Sequence, residues 1–169
     1  EPGVKPAAKA SRNRHIAVLA TVSTARSERL ARLIREHADG VRVDVAACPG
    51  WATKVETLHL ADPDFAAEVG RQLAPLLDAG ADQIVLGCTH YAFLAPLLEP
   101  VVAGRAALVD VADAVARQCV RLAGPTAHGR GRLHLLASAQ PERLQAALPA
   151  LGLHWLTPRL AQPAARAHA

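Results

Sequence analysis

The chain has 169 residues, of which 51% are hydrophobic and 3% are aromatic, and its formal net charge is +4. This length and hydrophobic content are enough to bury the core of one domain, or of one domain and part of another. The positive charge is spread along the chain without the aromatic side chains on which bases stack, so no nucleic acid partner is expected.

Two further features of composition bear on location. A membrane-spanning helix needs about eighteen consecutive apolar residues, and no stretch of this sequence is that long. No membrane partner is therefore expected. The cysteines, Cys48, Cys88 and Cys119, are odd in number and widely spaced, which is typical of a reducing compartment rather than of a disulfide framework. These features predict a cytoplasmic protein.

Short apolar runs alternate with amphipathic stretches along most of the chain. The apolar runs predict strands at His15–Ala20, Val41–Ala46, Gln83–Leu86 and Ala107–Val109. The amphipathic stretches predict helices at Ser27–His37, Phe65–Ala79, Phe93–Val102 and Ala112–Leu122. Continuous apolar strands separated by helices indicate an α/β fold of three layers, with a mostly parallel sheet flanked by helices.

The glycine- and proline-rich residues 123–132 predict a linker. After it we predict a strand at Leu133–Ala137, a helix at Pro141–Ala150 and a strand at Leu153–Leu156. One helix and two short strands cannot bury their own surface, so residues 133–156 are expected to belong to a sheet whose other strands lie elsewhere. Residues 157–169 are predicted to be a disordered tail.

Chemistry is expected at the carboxyl edge of the sheet, where open α/β sheets bind ligands. Cys88 is the strongest candidate there, because a thiol between a strand and a helix can be held as a thiolate by the helix N-terminus. His90 is placed to hydrogen-bond Cys88 or to exchange a proton with it. The alternative is that Cys88 is a small buried hydrophobe and His90 a loop side chain. A zinc site of Cys48, Cys88 and His90 lacks a fourth ligand, so no metal is expected.

The segment Gly87–Leu94, with the sequence GCTHYAFL, resembles the signature of the glutamate racemase family. Leu19–Thr24 is similar to that family's threonine-bearing loop, and Cys48–Glu56 is similar to the end of its next strand. Glu1–Ala7 is similar to its interdomain crossover, and Ser138–Leu144 to its C-terminal strand and helix. The resemblance implies that residues 1–13 are a crossover, that residues 14–122 are the second racemase domain and that residues 133–156 return to a first domain. The Asp-Ser pair and the Cys-Asn-Thr motif of that first domain are absent from this sequence.

The resemblance also implies an activity. Members interconvert L- and D-glutamate without a cofactor, for peptidoglycan synthesis, by using two thiols on opposite faces of the α-carbon. Cys88 would be one thiol, His90 would assist its proton transfer, and Glu56 would hold His90. Thr89, with Thr21 and Thr24, would hydrogen-bond the substrate.

Local alternatives stay open for three of these residues. Glu56 could be a carboxylate at the start of a helix, favoured there by the helix dipole. Thr21 and Thr24 could be turn and N-cap residues, with Ser27 as a competing cap.

The implied partners are glutamate, a missing N-terminal domain and, in a homodimer, a second copy of the chain. The sequence starts at Glu1 without methionine and has no second catalytic cysteine motif, so we expect a truncated chain that cannot racemise glutamate alone. The alternatives are a non-catalytic binding module of the same fold and a racemase for a related amino acid.

Overall fold

The structure, a computed structural model, describes residues 3–124 and 130–167. The chain divides into two compact units, Glu1–Arg121 and Leu122–Ala169. The predicted linker, residues 123–132, closely follows this division, and its residues 125–129 lie outside the described part. Among the described helices, none combines the length and the apolar character that crossing a bilayer requires.

The sheet of the first unit has four parallel strands in the order β2-β1-β3-β4. They are β1 (His15–Ala20), β2 (Arg42–Ala47), β3 (Gln83–Leu86) and β4 (Ala107–Val109). Every residue of β1 is buried, which agrees with its central position and its continuous apolar sequence. The predicted parallel sheet is confirmed, and β2 begins and ends one residue later than expected.

Seven helices are described in and at the end of this unit: α1 (Val4–Ala10), α2 (Val22–Ala25), α3 (Glu28–His37), α4 (Trp51–Glu56), α5 (Pro63–Asp78), α6 (Ala95–Val102) and α7 (Ala112–Ala123). Side-chain caps fix the starts of α3 and α5. Ser27 Oγ accepts from the Leu30 N–H at 3.2 Å, and Asp62 Oδ1 accepts from the Asp64 N–H at 3.0 Å. The helix predicted from Phe93 instead begins as a 3₁₀ helix at Thr89–Leu94.

Helices cover both faces of the sheet. On one face, Ile16, Val18 and Val85 form a cluster with Val4 and Ala7 of α1, and each of them is at most 3% exposed. Burying an aliphatic side chain of this size contributes ~1.5–3 kcal/mol, so packing holds α1 although it is short. Strand alternation turns the other buried side chains to the opposite face. There α5 presents the buried stripe of Phe65, Val69, Leu73 and Leu77.

The second unit has two short parallel strands, β5 (Leu136–Ala137) and β6 (Ala165–Arg166), with α8 (Pro141–Ala150) between them. The prediction of α8 is confirmed. The strand predicted at Leu153–Leu156 was wrong, because residues His154–Arg159 form a 3₁₀ helix. The Leu153 N–H donates to the Leu148 carbonyl at 2.7 Å, which turns the chain back at the end of α8 instead of extending it.

The prediction of a disordered tail at residues 157–169 was also wrong where the structure describes it. Strand β6 lies inside this segment, and the Ala165 N–H donates to the Leu135 carbonyl at 3.0 Å. The Ala164 N–H donates to Gln145 Oε1 at 2.8 Å. The donors in these bonds are main-chain N–H groups, which every residue except proline carries. An alanine- and proline-rich segment can therefore still form ordered main-chain hydrogen bonds.

Candidate active site

The carboxyl ends of the parallel strands lie along one edge of the sheet. From β1 the chain goes to β2 on one side, and from β2 it crosses to β3 on the other side of β1. Ligands of open α/β sheets bind at such a reversal. Thr21 follows β1 and Cys88 follows β3, so the strand ends expected to carry the chemistry flank this position.

Gly87 lets the end of β3 approach β1 closely. Its N–H donates to the Leu19 carbonyl at 2.8 Å. A β-carbon at this position would lie 2.6 Å from the same carbonyl oxygen and 3.2 Å from Val18 Cγ1. A side chain here would therefore push Cys88 away from the strand end of β1.

Cys88, His90 and Glu56 form a line of contacts beyond β3. The Cys88 Sγ lies 3.7 Å from His90 Nδ1, and His90 Nε2 lies 2.5 Å from Glu56 Oε1. The His90 side chain is 32% exposed and that of Glu56 is 68% exposed, so the line opens to solvent at its Glu56 end. The structure thus brings together the three residues expected to be catalytic.

This order of contacts favours a particular placement of the hydrogens on His90 and Cys88. An ionised Glu56 only accepts, so it favours a hydrogen on His90 Nε2. The neutral ring then has Nδ1 free to accept a proton from the Cys88 thiol. Ionised Glu56 also stabilises the imidazolium that such a transfer forms. The arrangement can therefore generate a thiolate at Cys88.

Glu56 reaches His90 because of aromatic packing that the sequence analysis missed. Trp51, at the start of α4, is 1% exposed, and its ring lies 5.7 Å from the buried ring of Tyr91 in the 3₁₀ helix. The Tyr91 hydroxyl donates to the Cys48 carbonyl at 3.3 Å. The available signal was the position of the chain's single tyrosine, directly after His90. Glu56 is the last residue of α4, so its interpretation as a helix-start carboxylate was wrong.

The three threonines have different positions. The Thr21 hydroxyl caps α2, accepting from the Thr24 N–H at 3.2 Å and donating to Thr24 Oγ1 at 3.0 Å. Its interpretation as an N-cap is therefore confirmed, as is that of Ser27, which caps α3. Thr24 and Thr89 line one pocket together with Cys88.

This pocket, of about 260 Å³, opens at the carboxyl edge of β3. Its inner wall is aliphatic and includes Val18, Leu33 and Val85. Its polar lining comprises Thr24, Ser27, Arg29, Cys88 and Thr89. Arg29 was missed by the sequence analysis, because nothing in its spacing separates it from the other arginines of α3.

The other two thiols differ from Cys88. Cys48 is 2% exposed, and this burial raises the pKa of its thiol to about 12. Cys119 is exposed on α7. Within residues 3–124 and 130–167, no three His, Cys, Asp or Glu side chains are grouped so that they could hold a metal ion.

Comparison with known proteins extends the resemblance seen in the sequence. A glutamate racemase of Pseudomonas putida is 43% identical over 155 residues, covering 89% of this chain and 58% of the relative. The chain thus spans less than two thirds of the length of this relative. A crystal structure of glutamate racemase isoform RacE1 from Bacillus anthracis has the same fold, with a TM-score of 0.77 at 21% identity over 99% of this chain and 62% of the other.

Escherichia coli glutamate racemase, solved in complex with L-glutamate and the activator UDP-MurNAc-ala, has a TM-score of 0.73 and 27% identity. That match covers 88% of this chain and 58% of the other. A sequence model described as Asp/Glu/Hydantoin racemase matches residues 2–119, which is more than half of the chain. The resemblance read from the sequence is therefore confirmed, and the chain belongs to the Asp/Glu/Hydantoin racemase family.

Proposed function

We propose that this chain is the part of a glutamate racemase that supplies one of its two proton-transferring thiols. The observation that carries the proposal is the line of contacts from Cys88 through His90 to Glu56, beside a pocket at the carboxyl edge of the sheet. Membership of a family described by racemisation supports α-proton chemistry at this edge.

In the proposed reaction, the Cys88 thiolate removes the α-proton of the amino acid. The Cα–H bond breaks, an S–H bond forms, and the electron pair remains on the α-carbon and is delocalised into the carboxylate. An acid on the opposite face then donates a proton to that carbon, which inverts its configuration. His90 takes up the thiol proton beforehand, and Glu56 stabilises the resulting imidazolium. This scheme uses no cofactor.

Threonine hydroxyls are proposed to hold the substrate. Because the Thr21 hydroxyl donates to Thr24 Oγ1, the Thr24 hydroxyl has its own hydrogen free for a ligand. Thr89 lines the same pocket and would bind the α-carboxylate or amino group beside Cys88. Thr21 is not among the lining residues and would act by orienting Thr24. The product would be D-glutamate for peptidoglycan synthesis in the cytoplasm.

The 169-residue chain is not expected to racemise glutamate by itself. Racemisation needs a base and an acid on opposite faces of the α-carbon, and this site offers one thiol. Neither other cysteine is suited to the second role, since Cys48 is buried with a pKa of about 12 and Cys119 does not line the pocket. The matched relative has a further two fifths of its length outside the match.

Complementation tests this function. The purified chain would be mixed or co-expressed with the part of the Pseudomonas putida relative that lies outside the match, and D-glutamate formed from L-glutamate would be measured by chiral chromatography. We expect turnover only from the combination, and loss of turnover with Cys88→Ser. Cys119→Ser is the matched control and should leave the rate unchanged.

Three results would contradict the proposal. The first is racemisation by the 169-residue chain alone that Cys88→Ser abolishes, because a single thiol would then be sufficient. The second is a combined protein that racemises aspartate or a hydantoin but not glutamate, which would favour a related substrate. The third is a folded combination without any turnover, which would favour the non-catalytic binding module.

A further inference from the structure

Among the described residues that line the pocket beside Cys88, Arg29 is the one that carries a charge. It lies in the first turn of α3 and lines the same pocket as Thr24 and Thr89. No aspartate or glutamate of residues 3–124 and 130–167 belongs to the lining. The opening therefore presents a fixed positive charge and hydroxyl groups to whatever enters it.

Other arginines of α3 have partners on their own helix. Arg35 Nη2 donates to Glu28 Oε1 at 2.6 Å, and Arg32 Nε lies 3.9 Å from Glu36 Oε1. Within residues 3–124 and 130–167, Arg29 makes no hydrogen bond or ion pair. Its guanidinium keeps its donors available, and two parallel N–H groups are suited to a carboxylate.

The rest of the pocket narrows the chemistry of the ligand. The aliphatic wall of Val18, Leu33 and Val85 suits a short hydrocarbon chain. The hydroxyls near Cys88 suit a carboxylate or amino group at one end of that chain, and Arg29, on a different element, suits a second carboxylate. An α-amino dicarboxylic acid has an amino group and a carboxylate at one end, a short hydrocarbon chain, and a second carboxylate at the other end.

We propose that Arg29 binds the side-chain carboxylate of the substrate and so selects acidic over neutral amino acids. This inference rests on the proposed function, because it assumes that an amino acid occupies the pocket with its α-carbon at Cys88. It assigns the α-carboxylate to the hydroxyl groups and the distal carboxylate to Arg29. Arg29 is thus a specificity-determining residue and takes no part in moving the proton.

Ligand binding by the 169-residue chain tests the assignment. Amide chemical shifts in ¹H–¹⁵N spectra would be followed while L-glutamate, D-glutamate and L-glutamine are added separately, with the signals of Cys88 and Thr89 as the readout. In the unsubstituted chain, we expect glutamate to bind more tightly than glutamine. In Arg29→Gln, we expect the Kd of glutamate to rise about tenfold and that of glutamine to change little.

Arg26→Gln is the matched control, because it removes the same charge from a neighbouring exposed residue outside the pocket lining. It should leave the glutamate Kd within about twofold of the unsubstituted value. Arg29→Lys should restore part of the preference, since it keeps the charge without the paired donors. The amide spectra also report whether each variant is folded.

The outcomes separate the two proposals. Glutamate binding that Arg29→Gln leaves unchanged would overturn the role of Arg29 and leave the proposed function standing. An equal loss in Arg29→Gln and Arg26→Gln would also overturn it, because the effect would then come from net charge. Absence of shifts at Cys88 and Thr89 with every amino acid, in the folded unsubstituted chain, would overturn both.

Discussion

Cys48 and Cys88 follow two strands of the same sheet but have different surroundings. Cys48 is buried, its pKa is raised to about 12 by that burial, and its Sγ lies 3.5 Å from the Ala46 carbonyl oxygen. Cys88 is partly buried and opens into a pocket. The same residue type is thus made inert at one strand end and accessible at another.

Thiol labelling checks this difference. In the native chain at about pH 8, we expect a disulfide reagent such as DTNB to modify Cys88 and Cys119 and to leave Cys48 unmodified until the protein unfolds. At that pH only about one part in ten thousand of a thiol with a pKa near 12 is ionised. Cys48→Ala should leave the native stoichiometry unchanged, whereas Cys88→Ala should lower it. Rapid labelling of Cys48 would contradict the assignment.

Sequence could predict the residues of the site whose signal is local. Cys88 and His90 stand at the end of an apolar run, where a parallel sheet exposes its strand ends. Glu56 was found through family resemblance, since it is separated from His90 by 34 residues. Arg29 could not be distinguished from Arg32 in the sequence. Which of the two lines the pocket depends on where α3 begins relative to that pocket.

At the scale of elements, the position of α4 depends on tertiary packing. This helix has only six residues, too few to be stable alone. Trp51 holds it, with its ring 5.8 Å from that of Phe65 and its Nε1–H donating to Glu68 Oε1 at 3.0 Å. Packing at Trp51 therefore determines how close Glu56 comes to His90.

We expect Trp51→Ala to lower the free energy of unfolding by ~3–5 kcal/mol, because it leaves a cavity and an unpartnered Glu68. Trp51→Phe should cost less, since it keeps a ring at the same place. Urea denaturation followed by circular dichroism measures both. Trp155→Ala is the control: that side chain is 55% exposed, so its loss should change the free energy of unfolding by less than ~1 kcal/mol. Equal effects of Trp51→Ala and Trp155→Ala would contradict this role.

Elements with a helical period or a continuous apolar run could be predicted from the sequence, and elements without either could not. The periodicity of α3 and α5 extends over enough residues to be recognised, and the apolar runs of β1 and β3 gave their bounds without error. Helix α4 is too short to show a period, and β6 is a strand only through its pairing with β5. Such elements depend on contacts that are remote in sequence.

At the scale of the molecule, charged groups tie segments together at the amino edge of the sheet, opposite the candidate site. Asp82 Oδ2 accepts from the Arg12 and Asn13 N–H groups at 2.6 and 2.9 Å, which joins the start of β3 to the approach to β1. Asp44, in β2, lies 2.9 Å from the buried His15 at the start of β1. Both contacts hold strands in place without touching the pocket.

Asp44 makes the stability of the fold dependent on pH. Burial opposes its ionisation, but hydrogen bonds from His15 and Arg42 outweigh that effect, so its pKa lies below the ordinary value of 3.8. A carboxyl group with a lowered native pKa stabilises the fold above its unfolded pKa, and this contribution is lost as pH falls through the native pKa. We therefore expect the free energy of unfolding to decrease below about pH 4.

Comparing substitutions isolates this contribution. Asp44→Asn should be less stable than the unsubstituted chain near neutral pH. The difference should shrink as pH falls below about 4, because protonation then neutralises Asp44 in the unsubstituted chain and neither protein carries a charge at this position. Asp39→Asn changes an exposed aspartate in the turn before β2 and should keep the unsubstituted pH profile. Urea denaturation at a series of pH values measures the three proteins. The contradicting result would be a difference in the free energy of unfolding between Asp44→Asn and the unsubstituted chain that stays constant down to about pH 2.5. Ionisation of Asp44 would then not be what holds β2 to β1. Shape or packing at that position would have to account for the lower stability of Asp44→Asn.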